Sequence, residues 1–438
     1  MQAKKAIDGP IERRAPEIGQ RYERAERALA ERWPGLRGIL PFLGPAFIAS
    51  VAYIDPGNYA TNIAAGSTYG YRLLWVVLAA NLMAILVQAL SAKLGIATGR
   101  DLPELIRDRY GAAAGWFMWV QGELVVIFTD LAEFLGGAIG IHLLTGRSMV
   151  ESAVFATILS FLLLELQRRG VRPLEAAITG LVMVVTFSFV VEMFLSGVEP
   201  APLMRGLLVP TFPDAEAVFL AAGILGATAM PHAIYLHSAL TKRRVTARTP
   251  EEKKRLYRLE LLDLWIAMGI AGVINMSMLI VAATLFHGRG MVVEEIDDAA
   301  RLLGQFLGPA ATLLFAVGLL ASGLSSSSVG ILAGDIIMQG FIRFRIPIYV
   351  RRIVSTIPPL AIILSGMSPT TALLVSQIVL SFGIGLALVP LVLLTRDRRV
   401  MGELANRPLT NLLAYAVTAV VLALNGYLLF STFRGMAV

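Results

Sequence analysis

The chain has 438 residues, of which 56% are hydrophobic and 16% charged, and its mean hydropathy is +0.70. Ordinary soluble domains carry about 25% charged residues, so this composition argues against a soluble protein and indicates an integral membrane protein. Cysteine is absent and the net charge is +7. The lack of cysteine excludes disulfides, thiolate metal ligands and cysteine nucleophiles.

The first 37 residues are polar and rich in Arg and Glu, and they lack the apolar stretch of a cleavable signal peptide. We expect residues 1–37 to form a cytoplasmic tail. Residues 38–432 then form a single transmembrane domain.

Eleven apolar segments follow, most of them near the length that crosses about 30 Å of hydrocarbon. The connections between them are short, so the sequence predicts one all-α bundle of eleven transmembrane helices. The segments lie at 41–66, 72–96, 113–142, 149–167, 174–195, 217–240, 260–286, 309–339, 347–366, 369–394 and 408–432.

The lysines and arginines predict the orientation of the bundle. If the N-terminus is inside, 32 of the 38 basic residues fall on the inner side and six on the outer side, as the positive-inside rule requires. The C-terminus is then outside, and we expect the bundle to lie in a plasma membrane. This placement explains the net charge without a nucleic-acid partner. Acidic residues in the outer loop 287–308 either attract cations or only solvate the loop.

The first apolar segment contains the run Asp55-Pro56-Gly57-Asn58 near its centre. Proline removes a helix donor and glycine is a poor helix former, so we expect the helix to break there. Unwound backbone inside a membrane is tolerated where it is buried in protein or lines a cavity. An Asp at that depth is costly, and it indicates a functional site.

The sixth segment contains a matching break at Met230-Pro231-His232. Pro231 follows Pro56 by 175 residues, so the two breaks lie in segments one and six. These segments are five apart, and because five is an odd number they cross the membrane in opposite directions. Repeat one at about 41–195 and repeat two at about 217–394 would therefore cross the membrane in opposite directions, with an extra helix at 408–432. Such inverted repeats place the substrate between their broken helices. The alternative is two unrelated proline kinks.

The two breaks offer a mixed set of metal ligands. Asp55 supplies a carboxylate and Asn58 an amide oxygen, and unwinding frees carbonyls near Ala52 and Ala227. These oxygens alone suit hard cations such as Na⁺, Ca²⁺ or Mg²⁺. The Met230 thioether favours softer transition metals, unless this methionine only fills a gap in the core.

Three acids on the third segment, Glu123, Asp130 and Glu133, are spaced so that they share one helix face. They indicate a polar path or proton relay through the membrane, with Arg351 and Arg352 as counter-charges and His232 able to pass a proton. The alternative is a static network of buried ion pairs.

Two further features are polar without being charged. Gln377 lies in an uncharged segment and either reaches the site or only joins helices. The serine run 325–328 is typical of close helix packing.

The two break motifs, followed by Ile234-Tyr235-Leu236-His237-Ser238, resemble those of the natural resistance-associated macrophage protein (Nramp) family of proton-coupled divalent metal transporters. The similarity extends over about 38–432. It implies the LeuT-type fold, with a 5+5 inverted repeat in which helices 1 and 6 are broken.

The resemblance also implies residue roles. The metal ligands would be Asp55, Asn58, Met230, Ala227, Ala52 and Gln377. The proton pathway would contain Asp130, Glu133, Glu123, His232 and Arg352.

The leading hypothesis is therefore import of Mn²⁺ or Fe²⁺, and also Cd²⁺ or Co²⁺, together with protons by alternating access. We expect a monomer in the lipid bilayer, with no resident cofactor because the metal is cargo. A Na⁺-coupled transporter of amino acids or other small solutes on the same fold is the alternative. Asp55 would repel a substrate carboxylate, which disfavours it. An enzyme is not expected, because no HExxH motif or nucleophile–base arrangement is present.

Overall fold

Helices joined by short loops make up almost all of the described chain. The structure is a computed structural model that describes residues 44–169, 171–242, 247 and 249–433. The predicted tail at 1–37 and the C-terminal end lie outside the described residues. In chain order the helices are α1 (Pro45–Val51), α2 (Pro56–Tyr69), α3 (Leu74–Thr98), α4 (Leu102–Thr145), α5 (Met149–Arg169), α6 (Val171–Leu195), α7 (Pro200–Leu208), α8 (Ala215–Thr228), α9 (Pro231–Lys242), α10 (Pro250–Leu285), α11 (Ile296–Leu307), α12 (Pro309–Ile342), α13 (Ile348–Ser365), α14 (Pro369–Arg396), α15 (Arg398–Met401) and α16 (Pro408–Phe433).

Every predicted apolar segment coincides with a helix or a broken pair of helices, so the all-helical prediction is confirmed. Within the described part of the chain, eight stretches are long and apolar enough to cross a membrane. Met149–Leu163 and Thr179–Leu195 are shorter apolar helices. The count of eleven spans, the division into two repeats and the orientation of the ends stay predictions.

Both expected helix breaks are present. The first separates α1 from α2, and the second separates α8 from α9. In each pair a proline starts the second helix, where its missing N–H costs nothing and its fixed φ favours a first turn. The chain therefore restarts a helix in mid-segment instead of continuing the old one.

The long helices α4 and α12 pack closely against each other and against the first broken pair. Glycines allow this approach. A Cβ on Gly136 of α4 would lie 2.1 Å from Pro56 Cγ, and one on Gly323 of α12 would lie 2.6 Å from the Glu133 carbonyl oxygen. Because small residues let helix backbones come close in a membrane, α4 and α12 hold the break in α1–α2 in a fixed position.

Candidate metal and proton sites

Asp55 organises the first break. Its backbone is extended (φ −109°, ψ 165°), and it is the N-cap of α2. The Asn58 N–H donates to Asp55 Oδ1 at 3.0 Å. The other carboxylate oxygen, Oδ2, is buried and has no hydrogen-bond partner among the described residues. One oxygen therefore holds the helix end and the other is free to bind a cation.

The two prolines account for the two carbonyls expected to be free. In a helix, the carbonyl of residue i accepts from the N–H of residue i+4. Ala52 lies four residues before Pro56, and Ala227 lies four before Pro231. Proline has no N–H, so neither carbonyl can make its helical hydrogen bond.

Gln377 of α14 connects the two breaks. Its side chain lies against Gly57, where an added Cβ would be 2.0 Å from Gln377 Nε2. Its backbone lies against Gly226 in α8, where an added Cβ would be 1.9 Å from the Gln377 carbonyl oxygen. Glycine at both positions is what allows α14 to lie beside both broken helices.

All six predicted metal ligands are completely buried, and so is Thr228, which sequence reasoning missed. The fully buried set comprises Ala52, Asp55, Asn58, Ala227, Thr228, Met230 and Gln377. Within the described residues, Asn58 Oδ1, Thr228 Oγ1 and Gln377 Oε1 also lack hydrogen-bond partners. Unpaired polar atoms are costly in a protein interior, so this concentration of unpaired oxygens is a strong indication of a cation site.

Serines of α12 bind other carbonyls that the first break exposes. Ser322 Oγ donates to the Ile54 carbonyl at 2.7 Å, and Ser326 Oγ donates to the Val51 carbonyl at 3.2 Å. Asn58 and Asn275 both donate to the Tyr53 carbonyl, at 2.7 and 2.9 Å. The serine run therefore does more than allow close packing, because it satisfies backbone groups of the unwound segment.

The acids of α4 meet two arginines of α13. Arg351 Nη2 lies 2.8 Å from Glu123 Oε1, and Arg352 Nη1 lies 3.8 Å from Asp130 Oδ1. Arg352 also donates to Ser327 Oγ at 2.6 Å. Neither carboxylate oxygen of Glu133 has a hydrogen-bond partner in the described chain. Of the three acids, Glu133 is the one without an arginine.

Gly330 of α12 makes room beside the unpaired acid. A Cβ on Gly330 would lie 3.1 Å from Glu133 Oε2 and 3.2 Å from Asp130 Oδ1. Both carboxylates therefore lie next to the space that a Gly330 side chain would occupy. His232 lies against Thr129, one helical turn before Glu133 on α4, with its Nδ1 3.3 Å from Thr129 Oγ1, and its Nε2 has no partner among the described residues. These predicted proton-pathway residues are therefore buried near one another on and beside α4.

A second buried network holds α1 in place and was not predicted. Tyr53 hydrogen-bonds to Gln88, whose Oε1 lies 2.9 Å from His237 Nδ1, and His237 Nε2 lies 3.0 Å from Glu260 Oε1. His237 is fully buried, and nothing in the sequence next to it predicted these partners.

Asp263, three residues after Glu260, fixes the start of α1. Its Oδ2 accepts from the N–H groups of Gly44 and Ala46 at 2.8 and 3.0 Å. The sequence did contain an indication of this network, because Glu260 and Asp263 are two acids three residues apart in a largely apolar segment.

Comparison with known proteins places the chain in a family. The model "Natural resistance-associated macrophage protein-like" matches residues 46–431. A relative from Bacillus subtilis (strain 168), named divalent metal cation transporter MntH, is 55% identical over 414 residues, covering 94% of this chain and 97% of that protein.

Solved structures agree with this placement. The crystal structure of an Eremococcus coleocola manganese transporter, in complex with an aromatic bis-isothiourea substituted compound, has a TM-score of 0.82 and 29% identity, with 90% of this chain and 88% of that chain covered. The nucleobase-cation-symport-1 family transporter Mhp1 has a TM-score of 0.59 and 14% identity over 90% of this chain and 93% of that chain, and it supports the LeuT-type fold alone. The chain belongs to the natural resistance-associated macrophage protein (Nramp) family.

Proposed function

We propose that this protein imports divalent transition-metal ions, Mn²⁺ or Fe²⁺ and also Cd²⁺ or Co²⁺, together with protons. The observation that carries the proposal is the pair of mid-segment breaks, which buries a carboxylate on one broken helix and a thioether on the other. The names of its relatives, a divalent metal cation transporter and a manganese transporter, support it.

Each ligand contributes differently to metal binding. The free Asp55 oxygen supplies negative charge, and Asn58, Gln377 and the two unbonded carbonyls supply neutral oxygens. Hard ions such as Ca²⁺ and Mg²⁺ gain nothing from a thioether, whereas transition metals accept mixed O and S ligands. We therefore assign selectivity to Met230.

Proton movement is assigned to the acids of α4. Glu133 and Asp130 share a buried space, and Arg352 forms its ion pair with Asp130, at 3.8 Å. A buried acid without a partner is best placed to take up and release a proton. His232 would connect this group to the metal site, since it follows Pro231 directly.

Alternating access requires one part of the bundle to move against the rest. The broken pairs α1–α2 and α8–α9 carry the ligands, whereas α4 and α12 pack tightly around them. The network from Tyr53 to Glu260 would close the end where α1 begins, and releasing it would open that end. We place the protein in the bacterial inner membrane as a monomer, with the N-terminus inside.

The proposal is tested by uptake into liposomes that contain the purified protein and an internal pH indicator. We expect Mn²⁺ and Cd²⁺ to enter and to acidify the interior, while Ca²⁺ and Mg²⁺ do not enter. Asp55→Asn should abolish uptake, and Glu294→Gln, a change at an exposed acid, should not. Normal Mn²⁺ uptake by Asp55→Asn would contradict the metal site. Saturable amino-acid uptake would favour the alternative transporter.

A further inference from the structure

Glu192 is a buried acid that neither the metal site nor the α4 acids use. It lies on α6, within the shorter apolar helix Thr179–Leu195, and none of its surface is exposed. Its Oε1 accepts from Ser188 Oγ at 3.2 Å, one turn earlier on the same helix. Its Oε2 has no hydrogen-bond partner in the described part of the chain.

The space beside Glu192 contains a second unpaired group, the hydroxyl of Tyr59 on α2. The Tyr59 ring packs edge-on against Phe189 and Phe315, with ring centroids 5.0 and 5.5 Å away. A Cβ on Gly318 of α12 would lie 2.9 Å from the Tyr59 hydroxyl and 3.7 Å from Ser188 Oγ. Ser188, which donates to Glu192, and the Tyr59 hydroxyl therefore both lie next to the space that a Gly318 side chain would occupy.

A counter-charge is missing from this environment. No salt bridge joins Glu192 to a Lys, Arg or His among the described residues, unlike Glu123 and Asp130. On the packed elements, α1 carries no charged residue and α12 carries Asp335 seventeen residues beyond Gly318. The charged residues of α10 all lie within 251–263, whereas its Ser277 is the residue that hydrogen-bonds to Met193, next to Glu192.

Helix α5 contributes no counter-charge near Glu192 either. Its Glu151 is exposed and pairs with Arg147 and Ser148, and its other charged residues lie within 165–169, at the far end of the helix. Tyr59 is therefore the titratable group that faces Glu192 from these described elements.

An isolated carboxylate is expensive to bury, and such a group usually stays neutral instead. In the neutral acid, Oε1 still accepts from Ser188 Oγ, and the other oxygen carries the proton in a buried space close to the Tyr59 hydroxyl. If α2 moves away and water enters, the carboxyl can release its proton to that water. Proton binding at Glu192 is then linked to the position of the helix that carries Asp55 and Asn58, because each shifts the other's equilibrium.

We propose that Glu192 is a proton-binding residue, distinct from the acids of α4, that is neutral while α2 packs against α6 and ionises when α2 moves away. Raising the pH would then favour the arrangement in which α2 has moved. The proposal does not depend on metal transport, because both of its readouts can be recorded without metal.

The first experiment is infrared spectroscopy of the full-length protein in phosphatidylcholine liposomes across a pH series. We expect Glu192→Gln to remove one protonated-carboxyl band that the wild-type protein retains at neutral pH, and Glu294→Gln to leave that band unchanged. Identical carboxyl bands in wild type and Glu192→Gln would overturn the proposal. If Glu192→Gln does not insert, Tyr59→Phe provides the test, since losing the hydroxyl should shift the band, and an unshifted band would overturn the contact.

The second experiment measures movement of α2. Because the chain lacks cysteine, a single Ala60→Cys reporter on α2 can be labelled with a thiol reagent, with rates normalised to the unfolded protein. We expect the rate to rise about threefold or more on raising the pH, and we expect Glu192→Gln in the same background to remove that rise. An equal rise in both proteins would show that Glu192 is not linked to α2.

Discussion

The side chain of Gln377 occupies the position where a side chain on Gly57 would begin, since a Cβ there would lie 2.0 Å from Gln377 Nε2. The break in the first helix and the polar residue of α14 are thus fitted to each other. Gly57→Ala should displace Gln377 and the ligands around it.

We expect Gly57→Ala to lower Mn²⁺ uptake at least about tenfold and to destabilise the fold by about 1–3 kcal/mol through overpacking. Gly269→Ala is the matched control, because a Cβ there meets nothing within 4 Å. The measurements are uptake into liposomes and thermal unfolding in detergent. Equal uptake by both variants would show that the contact has no role in transport.

Met230→Ala tests the source of selectivity. The variant loses the thioether and keeps the oxygen ligands, so we expect Ca²⁺ uptake to rise while Mn²⁺ uptake falls less. The lipid-facing Met183, which is 61% exposed, provides the control Met183→Ala. Competition of Ca²⁺ with Mn²⁺ uptake is the measurement. If Ca²⁺ remains excluded, Met230 is a packing residue.

Glu133→Gln tests the proton pathway. Because neither carboxylate oxygen of Glu133 has a partner in the described chain, the neutral amide should be accommodated without breaking an ion pair. We expect proton entry during Mn²⁺ uptake to fall about tenfold or more, while Mn²⁺ binding measured by calorimetry is retained. Unchanged internal acidification would remove Glu133 from the pathway.

Asp263→Asn tests the closure at the start of α1. The change weakens two hydrogen bonds that fix Gly44 and Ala46, and losing such a cap costs about 1 kcal/mol. We expect faster thiol labelling of a Ser50→Cys reporter on α1. An unchanged labelling rate would mean that the network through His237 holds α1 alone.

Asp214 gives a pH prediction outside the membrane segments. The Tyr69 hydroxyl donates to this carboxyl at 2.6 Å and the Ala217 N–H at 2.8 Å, and both lower its pKa. A lowered folded pKa adds stability above the unfolded pKa, and this stability is lost as the pH falls through the folded value. The Tm difference between wild type and Asp214→Asn should therefore shrink below about pH 4. A constant difference would exclude the linkage.

The helices and both breaks could be predicted from the sequence because each depends on neighbouring residues. An apolar segment of sufficient length predicts a helix, and a proline within it predicts a break. Gln377, Arg351 and Arg352 could be named as candidates, but nothing local shows that Gln377 contacts Gly57. His237, Glu260 and Glu192 were missed for the same reason, since their importance comes from burial against distant helices. The hydrogen bond from Ser326 to the Val51 carbonyl was not predicted, because only the broken helix exposes that carbonyl.

Pro56 and Pro231 also affect the rates at which an ion can bind and be released. Because the prolines deprive the Ala52 and Ala227 carbonyls of their helical hydrogen bonds, an ion bound as proposed would exchange water oxygens for them without first melting a turn of helix. An ion that departs likewise leaves no helix to be rebuilt. Dehydration and rehydration of the cargo can then proceed on a backbone that is already open, so the cost of unwinding belongs to folding and is not repeated in each transport cycle.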